Sequence, residues 1–240
     1  MNRIFWAGDS TVQTNKINTY PQTGIGQVMS LYLKEGIEVC NYGKNGRSTK
    51  SFMDEGRLDA IDRNIGEGDF LFIQFGHNDE KSQDPLRYTI PGSTFDENLR
   101  TFIRVAVKHG AHPVLITPLE RRCFDETGVL GPGAHGEYVE AIRSVAAQDN
   151  VPLVDLYAMS REAMNEAGAD KTIEWFMNVE PNVYPSCPEG KKDNTHLKYA
   201  GAVTFAGLIA KGLQQCGGIY KDLLFDADEK PEGLEDGDKA

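Results

Sequence analysis

The sequence predicts an α/β protein, a three-layer α/β/α sandwich built around a five-stranded parallel sheet. Two observations support this fold class. Five short apolar segments alternate with segments in which apolar residues recur at helical spacing, as they do in βαβ units. Several apolar segments also run without alternating polar residues, which is typical of parallel strands covered on both faces. A chain of 240 residues can form this fold as a single domain.

The predicted strands follow from the apolar segments. The strongest covers residues 69–75, which are rich in aromatic residues and bounded by Gly68 and Gly76. The other four cover residues 4–7, 37–40, 112–116 and 152–155. Right-handed crossovers between parallel strands favour a flavodoxin-like strand order.

The predicted helices follow from the apolar periodicity, over about residues 25–33, 52–65, 94–108, 136–148 and 197–215. Residues 169–193, which combine aromatic residues with prolines, are predicted to be irregular. We expect one domain over residues 1–220. An acidic tail over residues 221–240 follows, with eight acidic residues and three lysines.

Composition excludes several classes of function. The net charge of −11 argues against nucleic-acid binding, which depends on Lys and Arg neutralising phosphates. No apolar run approaches the ~20 residues that span a bilayer, so no membrane association is expected. The four cysteines lack Cys-x-x-Cys and zinc-site spacing, which predicts free thiols and no metal. The first strand begins too close to Met1 for a secretion signal, which predicts a cytoplasmic location.

Ser10 is the candidate nucleophile. It follows the first apolar run directly after Gly8 and Asp9, and ligands of open α/β sheets bind outside the carboxyl ends of the strands. A serine hydroxyl needs a neighbouring base that is held by a third group. Asp193 and His196 are suited to both tasks, because one turn at this spacing, just before the last predicted helix, can place both side chains on the same side.

Acyl transfer also needs hydrogen-bond donors for the developing oxyanion. Asn78 offers a side-chain amide after the third strand, and Gly46 and Ser10 offer backbone N–H groups after the second and first strands. In a parallel sheet these three loops lie at one edge. Taken singly, each residue is a common turn or capping residue. Together with Asp193 and His196 they predict an acyl-transfer site.

Four motifs carry a resemblance to the SGNH (GDSL-type) hydrolases. They are Gly8-Asp9-Ser10, Asn45-Gly46-Arg47-Ser48, Gly76-His77-Asn78-Asp79 and Asp193-x-x-His196. Within that superfamily they are most similar to the rhamnogalacturonan acetylesterases. The resemblance implies the SGNH hydrolase fold and no cofactor. It also implies Ser10 as nucleophile, His196 as base, Asp193 as its orienting group, and an oxyanion hole formed by Ser10, Gly46 and Asn78.

Further residues are candidates for substrate binding. Basic residues in the loops at this edge of so acidic a protein could bind a carboxylated sugar, and aromatic side chains could stack on sugar rings. The candidates are His77, Arg47, Arg121, Arg122, Trp175 and Tyr184. For His77, ordering of its own loop is the alternative role.

The sequence therefore favours a serine esterase that removes acetyl groups from pectin-derived (rhamnogalacturonan) oligosaccharides through an acyl-enzyme. Two alternatives stay open. One is a lysophospholipase or thioesterase for longer acyl chains, to which the polar loop over residues 11–22 is poorly suited. The other is a carbohydrate-binding protein without catalytic activity. The expected partner is a small-molecule or oligosaccharide acetyl ester, and the expected state is a monomer or homodimer.

Overall fold

The computed structural model describes residues 2–225 and contains the predicted parallel sheet. Its strands are β1 (Arg3–Gly8), β2 (Glu38–Asn41), β3 (Phe70–Gln74), β4 (His112–Ile116) and β5 (Leu153–Val154). Their order is β2-β1-β3-β4-β5, and every pairing is parallel. The predicted flavodoxin-like order is thus confirmed.

Helices cover both faces of this sheet. They are α1 (Ile25–Val28), α2 (Thr49–Asp54), α3 (Arg57–Asp62), α4 (Thr94–Lys108), α5 (Gly136–Gln148), α6 (Leu156–Thr172), α7 (Tyr199–Cys216) and α8 (Gly218–Lys221). The predicted helices over 94–108 and 136–148 match α4 and α5. The predicted helix over 52–65 is divided into α2 and α3, because Gly56 between them adopts a left-handed conformation with φ of 69°. Within residues 2–225, no helix combines the length and the apolar character needed to cross a bilayer.

Side chains of β1 alternate between two hydrophobic cores. Ile4 and Trp6 are buried in the core that includes Phe205 of α7. Phe5 is buried on the opposite face, in the core that includes Phe102 of α4. Both faces of the strand are therefore covered, which explains why its sequence is apolar throughout.

The carboxyl ends of β1 and β3 lie side by side, because Gly8 pairs with Gln74. A Cβ atom at Gly8 would lie 2.7 Å from Cγ2 of Val12 and 3.1 Å from the carbonyl oxygen of Gln74. The tight turn after β1 therefore requires a residue without a side chain at this position. The result is that the loops carrying Ser10 and Asn78 begin next to each other.

The prediction that residues 169–193 are irregular is wrong at both ends. The end of α6 occupies the start of this segment, and β6 (Phe176–Val179) pairs antiparallel with β7 (Lys191–Leu197), which begins near its end. The sequence pattern conceals β7 because all its residues except Leu197 are polar. The sequence pattern also conceals α6, because few residues of this helix are buried and Gly168, with φ of 80°, interrupts it.

The folded domain continues beyond residue 220. Leu223 and Leu224 are buried, and the backbone N–H of Lys34 donates to the carbonyl oxygen of Leu223 at 2.9 Å. Leu224 also forms a β-bridge with Leu33. The tail therefore cannot begin at Lys221 as predicted, and the rest of it, residues 226–240, lies outside the described residues.

Gly201 allows α7 to pack closely against the segment that leads into β6. A Cβ atom at this position would lie 2.1 Å from the carbonyl oxygen of Trp175. We expect Gly201→Ala to destabilise the protein by about 1–3 kcal/mol or more, because the helix and the backbone of Trp175 must separate. Urea unfolding followed by circular dichroism measures this change.

Gly136→Ala is the matched control, because a Cβ atom at this position in α5 meets nothing within 4 Å. Its free energy of unfolding should change by less than about 1 kcal/mol. Equal destabilisation by the two substitutions would contradict the role assigned to Gly201.

Candidate active site

Ser10 lies at the mouth of the sheet, in the turn that follows β1. The carbonyl oxygen of Asp9 accepts hydrogen bonds from the N–H groups of Val12 at 3.3 Å and Gln13 at 3.2 Å, which closes this turn. Ser10 is buried except for 8% of its surface. It lines a cavity of about 380 Å³.

The structure brings Ser10, His196 and Asp193 together, as the sequence predicts. Nε2 of His196 lies 3.0 Å from Oγ of Ser10, and Nδ1 lies 2.7 Å from Oδ2 of Asp193. A carboxylate beside Nδ1 favours the tautomer with the proton on that nitrogen. The lone pair of Nε2 then faces the serine hydroxyl and can take its proton.

The side chains of Asp193 and His196 are presented by a bulge of three residues in β7, and not by a turn before a helix. Phe176 pairs with Leu197, whereas the next residue, Met177, pairs with Asp193, so residues 194–196 project from the strand. Oδ1 of Asp193 accepts the backbone N–H groups of Thr195 and His196, each at 2.9 Å. The two side chains are in contact as the sequence predicts, but a bulge in a strand takes the place of the predicted turn before a helix.

The Asp193 carboxylate is strongly stabilised in its ionised form. Burial alone would raise its pKa. The hydrogen bonds from the ring and backbone of His196, together with Lys191 at 2.9 Å, outweigh burial and hold the pKa of Asp193 far below its usual range. A negative charge is therefore fixed beside the imidazole.

The predicted oxyanion donors line the same cavity as Ser10. Gly46 adopts a left-handed conformation with φ of 76°, which glycine allows without strain. Nδ2 of Asn78 donates to the carbonyl oxygen of Arg47 at 3.1 Å, and its Oδ1 accepts from Nη1 of Arg87 at 3.4 Å. These contacts hold the amide by both ends and leave its second N–H free to point into the cavity.

Asp9 and His77 form a buried pair behind Ser10. Oδ1 of Asp9 accepts the backbone N–H and the hydroxyl of Thr11, each at 2.8 Å, and Oδ2 lies 3.2 Å from Nδ1 of His77. Burial would raise the pKa of Asp9, but His77 and Thr11 lower it overall. Burial and the neighbouring His135 lower the pKa of His77. Asp9 thus braces the nucleophile loop from outside the cavity.

Asp79 is a buried carboxyl directly after Asn78. Its Oδ1 accepts the backbone N–H of Thr49 at 3.0 Å, the hydroxyl of Thr49, and the hydroxyl of Thr89 at 3.0 Å. Its Oδ2 has no hydrogen-bond partner within residues 2–225. Burial raises the pKa of Asp79 to about 7, although the hydrogen bonds lower it. Asp79 ties the start of α2, which follows the Gly46 loop, to the loop of Asn78.

Two of the predicted substrate-binding residues, His77 and Arg121, line the cavity. Arg121 is held by Oε1 of Glu80 at 2.9 Å and by the hydroxyl of Thr195. Tyr184 does not line the cavity but stacks edge-on against Tyr20, with ring centroids 5.5 Å apart.

The other three predicted residues are engaged in structural contacts. Arg47 forms an ion pair with Glu55 at 2.7 Å. Arg122 donates to the hydroxyl of Thr172 at 3.0 Å and to the carbonyl oxygen of Ala169. Trp175 packs against Phe205 of α7 in the core. None of the three lines the cavity, because each is held by a partner outside it.

Four cavity residues were missed by the sequence analysis: Gln22, Asn45, Lys81 and Thr195. Asn45 precedes Gly46, Thr195 lies between Asp193 and His196, and Lys81 follows Asn78 by three residues. Proximity in sequence to the four motifs could therefore have identified these three residues. Nothing in the local sequence indicates that Gln22 reaches the cavity.

The fold and this geometry together place a strand-end serine beside a histidine–aspartate pair, an arrangement that is typical of serine hydrolases. The chain belongs to the GDSL-like lipase/acylhydrolase family, whose model matches residues 7–227. The resemblance drawn from the four motifs is thus confirmed, and the protein is a hydrolase of carboxylic esters.

Similar proteins include two from Bacillus subtilis (strain 168). Rhamnogalacturonan acetylesterase RhgT is 41% identical over 95% of this chain and 96% of its own length. The probable rhamnogalacturonan acetylesterase YesY is 40% identical over 90% of this chain and 94% of its own length. The crystal structure of YxiM from Bacillus subtilis superposes with a TM-score of 0.77 at 27% identity, covering 90% of this chain and 57% of that chain.

Asp79 predicts a pH dependence of stability. Its pKa is about 7 in the folded protein against an ordinary value of 3.8, so the folded state alone holds this proton between those values. The contribution of Asp79 to stability is therefore complete at acidic pH and is lost as the pH rises through 7, a change of about 4 kcal/mol. We expect the free energy of unfolding of the wild type to fall over this range relative to that of Asp79→Asn, as measured by urea denaturation.

Asp54→Asn is the control, because Asp54 is exposed. The difference between this variant and the wild type should stay nearly constant with pH. If the difference in free energy of unfolding between the wild type and Asp79→Asn is equally independent of pH, the Asp79 carboxyl does not titrate in this range.

Proposed function

We propose that this enzyme removes acetyl groups from rhamnogalacturonan-derived oligosaccharides, with Ser10 as nucleophile, His196 as general base and Asp193 as its orienting group. The hydrogen-bonded series from Ser10 through His196 to Asp193, open to a small polar cavity, is the observation that carries this proposal. The substrate class is supported by the relatives named rhamnogalacturonan acetylesterases. No cofactor takes part in this mechanism.

In the proposed mechanism, Oγ of Ser10 attacks the acetyl carbonyl carbon while its proton moves to Nε2 of His196. The N–H groups of Ser10 and Gly46 and the amide of Asn78 stabilise the negative charge that develops on the carbonyl oxygen. His196 then gives the proton to the sugar oxygen, which leaves as a hydroxyl group. Water that is deprotonated by His196 attacks the acetyl-serine. The bond between Oγ and the carbonyl carbon then breaks as His196 returns the proton to Oγ, which frees Ser10 and releases acetic acid, ionised in water to acetate.

The polar lining of the cavity favours a short acyl group. Its residues are all polar, charged or glycine: Ser10, Gln22, Asn45, Gly46, His77, Asn78, Lys81, Arg121, Asp193, Thr195 and His196. A long acyl chain would strip water from these groups without offering them hydrogen bonds, which costs free energy. The site therefore supports an acetylesterase over a lysophospholipase or thioesterase. A cytoplasmic location and a monomeric or homodimeric state stay predictions of the sequence.

We expect Ser10→Ala to lower kcat for acetate release by about four to six orders of magnitude, because the covalent step loses its nucleophile. Released acetate is measured with acetylated rhamnogalacturonan oligosaccharides as substrate. Ser30→Ala removes an exposed serine hydroxyl and should retain the wild-type rate. Undiminished acetate release by Ser10→Ala would instead favour a carbohydrate-binding protein without catalysis at this site.

We expect kcat/KM for 4-nitrophenyl acetate to exceed that for 4-nitrophenyl octanoate by at least about tenfold, because the cavity offers the longer chain no apolar wall. Gln22→Leu adds an apolar side chain to the cavity and should narrow this ratio. A clear preference of the wild type for octanoate would rule out the acetylesterase assignment.

A further inference from the structure

Lys81 lies in the cavity beside Ser10 without a partner for its charge. Its backbone N–H donates to the carbonyl oxygen of Asn78 at 3.3 Å, so the lysine and the candidate oxyanion donor leave the same turn. Its side chain lines the cavity together with Ser10 and is half-buried. Within residues 2–225 the ammonium group has no hydrogen-bond or ion-pair partner.

The acidic side chains around Lys81 are already engaged. Oε1 of Glu80 accepts from Arg121 at 2.9 Å, and its Oε2 lies 2.7 Å from Nδ1 of His135. Asp84 is paired with Arg87 at 2.6 Å. Asp9 and Asp193 are paired with the histidines described above, and Asp79 is buried against Thr49 and Thr89. Among the described residues, none of these carboxylates forms an ion pair with Lys81.

Two other cations, Arg87 and Arg121, act on Lys81. Burial lowers the pKa of its ammonium group, Arg87 and Arg121 lower it further, and together these effects outweigh Glu80 and Asp9, which raise it. A partly desolvated cation without a partner costs free energy, and a bound anion removes that cost.

We propose that Lys81 binds a carboxylate group of the substrate and thereby selects acetyl esters carried by acidic sugars. This inference rests on the proposed function, because it names the substrate feature that the same site recognises. Lys81 is thus a specificity-determining residue. Arg121 is already held by Glu80 and Thr195. It therefore contributes positive potential at the cavity wall, whereas Lys81 makes the main contact with the substrate carboxylate.

A pair of substrates that differ only in charge tests the proposal. One is an acetylated oligosaccharide with free uronate carboxylates, and the other is the same material after methyl esterification of those carboxylates. We expect Lys81→Met to raise KM for the charged substrate at least about tenfold and to lower its kcat/KM relative to the neutral one. Lys81→Arg keeps the charge and should retain most of the preference.

Lys44→Met is the matched control. Lys44 lies on the neighbouring loop and lines a separate polar cavity, so its removal changes the net charge by the same amount without touching the site. We expect it to keep the wild-type ratio between the two substrates. Equal losses on both substrates in Lys81→Met, or the same change of ratio in Lys44→Met, would overturn the proposal.

Failure of the proposed function is recognised separately. In that case the wild type would release no acetate from either oligosaccharide but would still cleave 4-nitrophenyl acetate. The deacetylated uronate oligosaccharide is then tested as an inhibitor of that reaction. Inhibition that is lost in Lys81→Met supports the carboxylate site, and inhibition of equal strength in both proteins overturns it.

Discussion

The arrangement of the site depends on the hydrogen bonds of the Asp193 carboxylate. One oxygen lies 2.7 Å from Nδ1 of His196, and the other accepts two backbone N–H groups within the bulge of β7. The same group therefore shapes the backbone and orients the imidazole. Because these contacts outweigh the cost of burial, the carboxylate stays ionised, fixes the proton on Nδ1 and leaves Nε2 to Ser10. A strand outside the main sheet thereby completes a site that begins at the end of β1.

The parts of the fold and site that could be predicted from the sequence are those encoded locally. Apolar runs such as that of β3 mark buried strands, and parallel strands bring their carboxyl ends to one edge whatever the loops between them do. Ser10, Gly46 and Asn78 each lie in the loop that follows a strand, so the strand pattern was sufficient to place them at the same edge. The short spacing of Asp193 and His196 supplied the remaining pair.

The parts that could not be predicted depend on which side chains the folded chain brings into contact. Arg47 and Arg122 have the charge expected of a sugar-binding residue, but Glu55 and Thr172 engage them instead. Residue type does not indicate which of these partners is nearby. Lys81 shows the converse, because a lysine three residues after Asn78 resembles an ordinary surface charge. What distinguishes it is that the nearby carboxylates of Glu80 and Asp84 pair with arginines and not with Lys81.

Two buried carboxyl groups near Ser10 have opposite pKa shifts, and the difference bears on catalysis. Asp9 has His77 beside it and its pKa is lowered, whereas Asp79 receives hydrogen bonds only from neutral groups and burial raises its pKa to about 7. Asp79 directly follows Asn78, where the oxyanion is proposed to form. An ionised carboxylate there would repel that developing charge, so the transition state is favoured in molecules whose Asp79 is protonated. By raising the pKa of Asp79 to about 7, burial enlarges that protonated fraction and reduces the negative charge near the oxyanion donors.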